Sequence, residues 1–386
     1  MKNLFLLDKE ITFLNFGSFG ACPKEIFDDY INWQYLLEKE PVQYVTVDGY
    51  AYLKKSREAL ATYINCDAED LVFVPNPTHA FNILAKNLFL NPGDEILTSN
   101  LEYGAMDKTW EFYCEKAGAK YIRQPISLPI QSKEDFIHEF WKGFSDQTKY
   151  IFISQITSST ALILPVKEIC EEAKKRGLIT IVDGAHVPGH IELNLSELQA
   201  DYYTGACHKW MMTPKGCSFL YVKKEFQENL DPLVISWGFK SINPSDSKFF
   251  DYHQFNGTRD FSAYLTVPKA IEFMNKHDWN LVSEKCKREV LENAPKLFDL
   301  LKTTALAPLN KDFFGQICSA KIQTTEPEKL QRLLFEKYKI EIPVMRHVND
   351  CYIRFSFQAF NESSEIDYLI QSLSEIKKET NLFLVI

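Results

Sequence analysis

Two residues of this chain could do chemistry together. Asp183 stands where the apolar run 178–182 gives out, and open α/β sheets bind their ligands beyond the carboxyl ends of the strands. Alone, such a carboxylate is as well read as the cap of the turn Asp183-Gly184-Ala185-His186-Val187-Pro188-Gly189. Twenty-six residues on, past a second strand-like run at 200–204, comes Cys207-His208-Lys209-Trp210. A lone lysine is ordinarily a solvated surface group. This one is flanked by His208 and Trp210 and followed by Met211, Met212 and Pro214, a setting that predicts partial burial. Burial lowers a lysine's pKa and makes its amine a nucleophile toward carbonyls. A third feature is Asn76-Pro77-Thr78-His79, which follows a strand-like run and opens a helical one, so that backbone N–H groups, the helix dipole and the Thr78 hydroxyl can converge on an anion. On its own it is an ordinary helix start with proline in the first position.

An aspartate to hold a pyridinium nitrogen, a lysine to form a Schiff base and a phosphate cradle are what a pyridoxal phosphate site requires. With Asp183, Lys209 and the cradle in place, the chain resembles the class V aminotransferase family of fold-type I pyridoxal phosphate enzymes, and within it the isopenicillin N epimerase-like branch. The resemblance spans nearly the whole chain. It rests on the stretch from Leu14 to Pro23 (LNFGSFGACP), on DGAHVPG, on His208-Lys209-Trp210 followed by Pro214-Lys215-Gly216, on Asn256-Gly257-Thr258-Arg259-Asp260, and on IEIPV (340–344) followed by YIRFS (352–356).

The resemblance implies roles residue by residue. Lys209 carries the cofactor and shuttles the Cα proton. Asp183 keeps the ring nitrogen protonated, an ion pair worth on the order of 4 kcal/mol at ~4 Å and an effective dielectric of ~20, before desolvation. Tyr103 stacks on the cofactor face, His186 approaches its phenolic oxygen, and His208, Pro77 and Thr78 complete the cofactor site. Arg354 takes the substrate carboxylate as a bidentate fork, with Asn15 and Phe16 bordering the substrate. Thr258 reaches across a dimer to the partner's cofactor phosphate, so the expected unit is a homodimer with shared sites. The expected partner is a small amino-acid substrate, with neither nucleic acid nor membrane.

The chain also departs from the family pattern. Ala206 stands where relatives carry a polar residue near the phosphate, leaving Thr204 and Gly205 to compensate; Pro77 removes one N–H from the cradle; Phe16 replaces a histidine. The segment 344–350 is short and holds no cysteine, and Cys351 falls on an expected strand, which disfavours desulfuration through a cysteine persulfide. Transamination, epimerisation and Cβ-lyase chemistry all start with the same deprotonation by Lys209, and the residues do not separate them. Epimerisation calls for a second acid/base, for which Tyr103, His79 and Tyr44 are the neighbouring candidates. A non-catalytic sensor on the same scaffold is the alternative of another class, disfavoured by the joint presence of Lys209, Asp183 and Arg354. No G-x-G-x-x-G follows a strand-like run, which leaves a nicotinamide enzyme without its motif. A metal site at His186 and His190 fails because Pro188 and Gly189 interrupt any helix between them.

The elements that must position these groups read as an α/β fold with a mainly parallel sheet flanked by helices and a smaller α+β part. Strand-like runs at 150–156 and 178–182 flank a helical run at 166–176 ended by Gly177, and runs at 71–74 and 95–98 flank another at 78–89. The expected division is an arm at 1–24, a large domain at 25–265 and a small domain at 266–386, the last with strands at 317–322, 340–344 and 351–357 and helices at 327–337 and from about 364. Of the 386 residues, 43 Lys and Arg against 52 Asp and Glu leave a net charge of −9 with no basic stripe, which argues against nucleic acid or an anionic membrane. No apolar run reaches the ~18 residues of a membrane helix, and the apolar stretch of MKNLFLLDKE is too short for a secretory core. Nine scattered cysteines without a C-x-x-C pair fit a reducing, cytoplasmic setting.

Overall fold

Strands covered by helices on both faces read as largely apolar runs, as Leu71–Val74 does, whereas the edge strand Lys120–Gln124 is polar and part-exposed. The computed structural model describes residues 1–254 and 256–383. Its main sheet holds seven strands, in the spatial order Leu71–Val74, Ser218–Val222, Tyr202–Gly205, Ile179–Gly184, Thr148–Ser154, Glu95–Ser99, Lys120–Gln124. Ser218–Val222 runs antiparallel to both its neighbours; the other pairs are parallel. Period-two alternation splits the side chains between two cores. Val72, Val74, Phe152, Ile181 and Leu220 pack with Phe81 and Trp110 on one face, and Leu71, Phe73, Ile153, Val182 and Phe219 join the larger core on the other.

Helices Pro77–Asn87 and Val166–Lys175 lie close to the expected bounds, the second stopping at Arg176 and Gly177, whose φ is +70°. The strand expected at 340–344 is two. Ile340–Glu341 pairs in parallel with Thr12–Phe13, while Val344–His347 pairs antiparallel to Asp350–Ser356, which in turn pairs with Ile317–Ile322. Pro343 has no N–H to donate and constrains Ile342, so a single ladder cannot run through both. Helix Trp279–Leu301 packs on Ile317–Ile322 and on helix Ser363–Glu379, and helix Pro327–Tyr338 on Val344–His347. Helix Val267–Lys276, just beyond the expected boundary at 265/266, packs on helices Lys24–Lys39 and Gly49–Ile64 of the large part.

The arm ties both parts to the sheet's carboxyl edge. Beyond the Thr12–Phe13 pairing, Ser356 N donates to Leu14 O at 2.9 Å and Asn361 Nδ2 to Phe13 O at 2.9 Å. Gly20 then passes so close to the turn after Tyr202–Gly205 that a Cβ there would lie 2.5 Å from His208 O and 2.6 Å from Lys209 O, and its φ is +64°. Only glycine fits this approach. Gly20→Ala is therefore expected to cost about 1–3 kcal/mol from the clash and roughly 1 kcal/mol more from the left-handed backbone. Gly93→Ala, whose added methyl meets no atom within 4 Å, carries the backbone term alone. Urea unfolding of both variants checks this, and equal losses would refute the close-approach account.

Candidate active site

The parallel strands end together at one edge of the sheet, and register places the polar groups there. Asp183 pairs with Ser154 on one side and Thr204 on the other. Lys209 follows two residues of turn after Ala206, whose carbonyl accepts from Lys209 N at 3.3 Å. A cavity of about 160 Å³ opens at this edge, lined among others by Asp183, His186, His208, Lys209, Thr78 and Tyr103.

Burial is the largest influence on the titration of each group. The Lys209 amine is pulled down to about 8 by desolvation, against the Asp183 carboxylate, which favours the ammonium, while Arg354 opposes it. Burial also raises the Asp183 carboxyl, opposed by the Ala185 N–H it accepts at 2.8 Å and by Lys209. His186 is held well below its ordinary value by burial and by the cations Lys209 and Arg354, and its Nε2 stands 3.2 Å from Lys209 Nζ. His208 Nδ1 lies 2.8 Å from Cys217 O, and burial takes this ring down to about 4.

The expected phosphate cradle is lean. Asn76 caps helix Pro77–Asn87 by accepting from His79 N at 2.9 Å, and Pro77 has no N–H, so Thr78 supplies the remaining first-turn N–H and a hydroxyl at the cavity wall. Thr204 cannot compensate for Ala206, because its hydroxyl donates to Phe219 O at 2.7 Å inside the sheet.

Arg354 is buried at 3% exposure, one hydrogen bond behind the cavity wall. Its Nη1 donates to Ser158 O at 2.6 Å and its Nη2 to Ser18 Oγ at 2.9 Å, and both serines line the cavity. Tyr103 lines the cavity half-exposed; of the other two candidates for a second acid/base, neither His79 nor Tyr44 borders it, Tyr44 being stacked on Phe261 at 5.1 Å. Two expectations for the arm meet a different arrangement. Phe16 is fully buried, its ring 5.0 Å from Trp210, because its N–H is tied to Ser356 Oγ at 2.7 Å and its side chain turns into the core. Asn15 also stands behind the wall, accepting from Ser18 Oγ at 2.5 Å and donating to Glu341 Oε1 at 2.9 Å. The arm residues at the cavity are Ser18 and Phe19. Thr258 lines a separate groove of about 400 Å³ with Val45, Tyr50, Trp237 and Phe261. No group of three or more His, Cys, Asp or Glu side chains converges on a point among the described residues.

Sequence reasoning passed over Glu102. It is fully buried, accepts from Ser99 Oγ at 2.6 Å and from Ser154 N at 2.9 Å and Oγ at 2.5 Å, and burial pushes it up to about 8. It ties two strand ends beneath the cavity, next to Tyr103. A glutamate after a strand-like run reads as a solvated turn, so its type carried no signal; its neighbour Ser99, a small polar residue closing an apolar run, was the available one.

The family model described as "Aminotransferase class-V" matches residues 38–369. The chain belongs to the class V aminotransferase family. It is 31% identical to the isopenicillin N epimerase of Streptomyces clavuligerus, with 98% of each chain covered, and 30% identical to that of Amycolatopsis lactamdurans, with 96% of each covered. An L-cysteine desulfhydrase of Arabidopsis thaliana is 25% identical over 95% of this chain and 88% of that one. Among solved structures, the cysteine desulfurase of Thermococcus onnurineus NA1 superposes with a TM-score of 0.81 at 19% identity, covering 97% of this chain and 96% of that one, so the fold is that of fold-type I pyridoxal phosphate enzymes. The family's cofactor, pyridoxal 5′-phosphate, fits the residues present: a half-buried, low-pKa amine on the cavity wall, a buried carboxyl one strand away and a helix N-terminus at the same edge.

The buried histidines set an acid limit on the class V fold here. His190, behind the site, is taken down to about 3 by burial, against an ordinary value of about 6.5 when unfolded. A depressed histidine contributes stability that is fully present above about 6.5 and lost as pH falls toward its folded value, by roughly 2 kcal/mol per group between pH 6.5 and 5. His190→Gln should therefore lose less stability than the unsubstituted protein between pH 7 and pH 5. Urea midpoints at the two pH values measure it, and an unchanged difference would clear His190 of the effect.

Proposed function

We propose that this class V enzyme removes the Cα proton of an amino acid or small peptide and completes either an epimerisation or a transamination. The reading is carried by the Lys209 amine, lowered to about 8 within one cavity with Asp183 and His186. Such an amine is part neutral near neutral pH, and so can both attack a carbonyl and move a proton. Bound in the cavity, pyridoxal phosphate supplies a carbonyl for an amine and an electron sink that eases Cα deprotonation. Asp183 holds the proton of the ring nitrogen. Thr78 and the helix N-terminus bind the phosphate, and Tyr103 covers the ring. Arg354 orients the substrate carboxylate at the wall formed by Ser18 and Ser158. Lys209 accepts and returns the proton at Cα, and Tyr103 is the group that could meet the other face in an epimerisation.

The exposed Phe19 ring, 69% accessible at the cavity mouth, supports a substrate with an apolar or bulky side chain in place of the role first given to Phe16. No cysteine lines the cavity among the described residues. The desulfhydrase-named relatives favour a second reading, elimination at Cβ. Incubating the holoenzyme with a panel of L-amino acids in deuterated water separates the outcomes by Cα exchange, loss of optical purity, keto-acid release and sulfide release. Exchange with racemisation or keto-acid release is expected, and Lys209→Ala should show none and trap no cofactor on borohydride reduction. Sulfide release from cysteine without exchange on other substrates would overturn the reading.

We further propose a homodimer with shared sites, in a reducing, cytoplasmic setting. All nine cysteines are free thiols. Trp237 is 82%, Ile242 81%, Ile235 71% and Val42 69% exposed, an apolar surface beside the groove of Thr258 that a second copy would cover. A shared site also answers the lean cradle, since Thr258 and Arg259 of one copy can serve the phosphate of the other. Mixing Lys209→Ala chains with chains altered at Thr258 and Arg259 should restore roughly a quarter of wild-type activity, because half of the symmetric dimers are then hybrids with one intact site. With chain exchange verified by mass, no recovery would count against sharing.

A further inference from the structure

His190, the second histidine of DGAHVPGH, has no part in the chemistry above, and Trp210 none beyond packing. The two form a stack: their rings lie 4.0 Å apart at 23°. His190 is pinned at both nitrogens. Gln316 N donates to its Nε2 at 2.6 Å, so the remaining proton is on Nδ1, 2.9 Å from His186 O. Ser283 Oγ, on helix Trp279–Leu301, donates to Gln316 Oε1 at 2.8 Å and fixes that residue in turn. Gly315 leaves the room, since a Cβ there would strike His190 Nε2.

Trp210, held by this stack, directs its indole Nε1 at His186 Nδ1, 3.4 Å away. An indole nitrogen can only donate, so His186 Nδ1 must accept and carry no proton. The other ring nitrogen of His186 faces Lys209 Nζ at 3.2 Å. A neutral imidazole protonated at Nε2 donates to that amine, and a donor stabilises the free base, not the ammonium. We infer that Trp210, stacked on His190, is a positioning residue that locks His186 as the Nε2–H tautomer and thereby favours the reactive, unprotonated form of Lys209. The inference rests on the reading of Lys209 as the carbonyl-reactive amine. It explains why a tryptophan follows the lysine and why a second histidine follows the first by four residues.

Other charged or titratable groups face this pair. Asp183 acts from its strand and Arg354 from the small sheet, while His208 precedes the lysine and His190 lies behind the stack. None of them donates to His186 Nδ1, so removing the indole N–H should act through His186 alone. The test is the pH dependence with which Lys209 of the full-length apo chain is labelled by a small aldehyde and cyanoborohydride, read by peptide mass spectrometry. Trp210→Phe keeps an aromatic ring in the stack but frees Nδ1. His186 can then turn an acceptor toward Lys209, and the labelling midpoint should rise by about one pH unit, tenfold in proton affinity. In a His186→Leu background the same Trp210→Phe change should move the midpoint by nothing. No rise in the first background, or equal rises in both, would overturn the inference.

A measurement on the unsubstituted protein guards against misfolded variants. Long-range proton–nitrogen correlation of histidine-labelled full-length chain should show His186 protonated at Nε2 only, and a proton on Nδ1 would overturn the lock. Failure of the functional reading is distinguishable, because it would appear as no aldehyde adduct at Lys209 at any pH while the tautomer of His186 stays measurable.

Discussion

The structure is organised around a half-buried amine and a buried carboxyl at one strand edge. Neither Lys209 nor Asp183 could be taken out of water alone without a penalty of several kcal/mol, and each shifts toward its neutral form in response. Parallel register makes the pairing possible: Asp183 ends the central strand between Ser154 and Thr204, and Lys209 sits on the turn beyond the next strand. The same edge gathers the strand ends at Ser99 and Ser154 under the single carboxyl of Glu102.

Around this pair the cavity is closed by segments far apart in sequence. The small sheet sends Arg354 toward it, and the hairpin Val344–His347 with Asp350–Ser356 reaches the large part where His347 Nε2 meets Asn100 O at 2.9 Å. Glu341, Asn15, Ser18 and Arg354 form one polar chain from the outer strand to the guanidinium. The position of the Arg354 guanidinium behind the cavity therefore depends on the arm and the small sheet being in place together.

Much of this was legible in the sequence because it follows from local rules. The apolar runs at 71–74 and 317–322 are strands of that extent, and Asp183, Thr78 and Lys209 stand out because a strand end next to a polar residue is a local pattern, whereas Tyr103 rests on the family resemblance alone. What escaped depended on long-range placement. Phe16 and Ser18 are two residues apart, yet one turns inward to Trp210 and the other outward to the cavity, a choice set by Ser356, 340 residues away from Phe16. Ser218–Val222 carried no helix–strand rhythm because it returns antiparallel by a turn, without a crossover helix. The division of 340–344 into two strands was readable from Pro343, since the missing N–H is a property of the residue itself.

The pairing of Thr12–Phe13 with Ile340–Glu341 has a consequence for how the molecule is made. Residues 12–20 leave the ribosome more than three hundred residues before their partners, which at ~5–20 residues per second is a wait of roughly 20–60 s. Throughout that interval Thr12–Phe13 lacks the strand it pairs with, and Arg354 does not yet exist. The main sheet can form during synthesis, but the ligand-binding edge cannot be completed until the strand carrying Arg354 has emerged. A nascent chain paused before residue 340 would be folded at its centre and open at its working face.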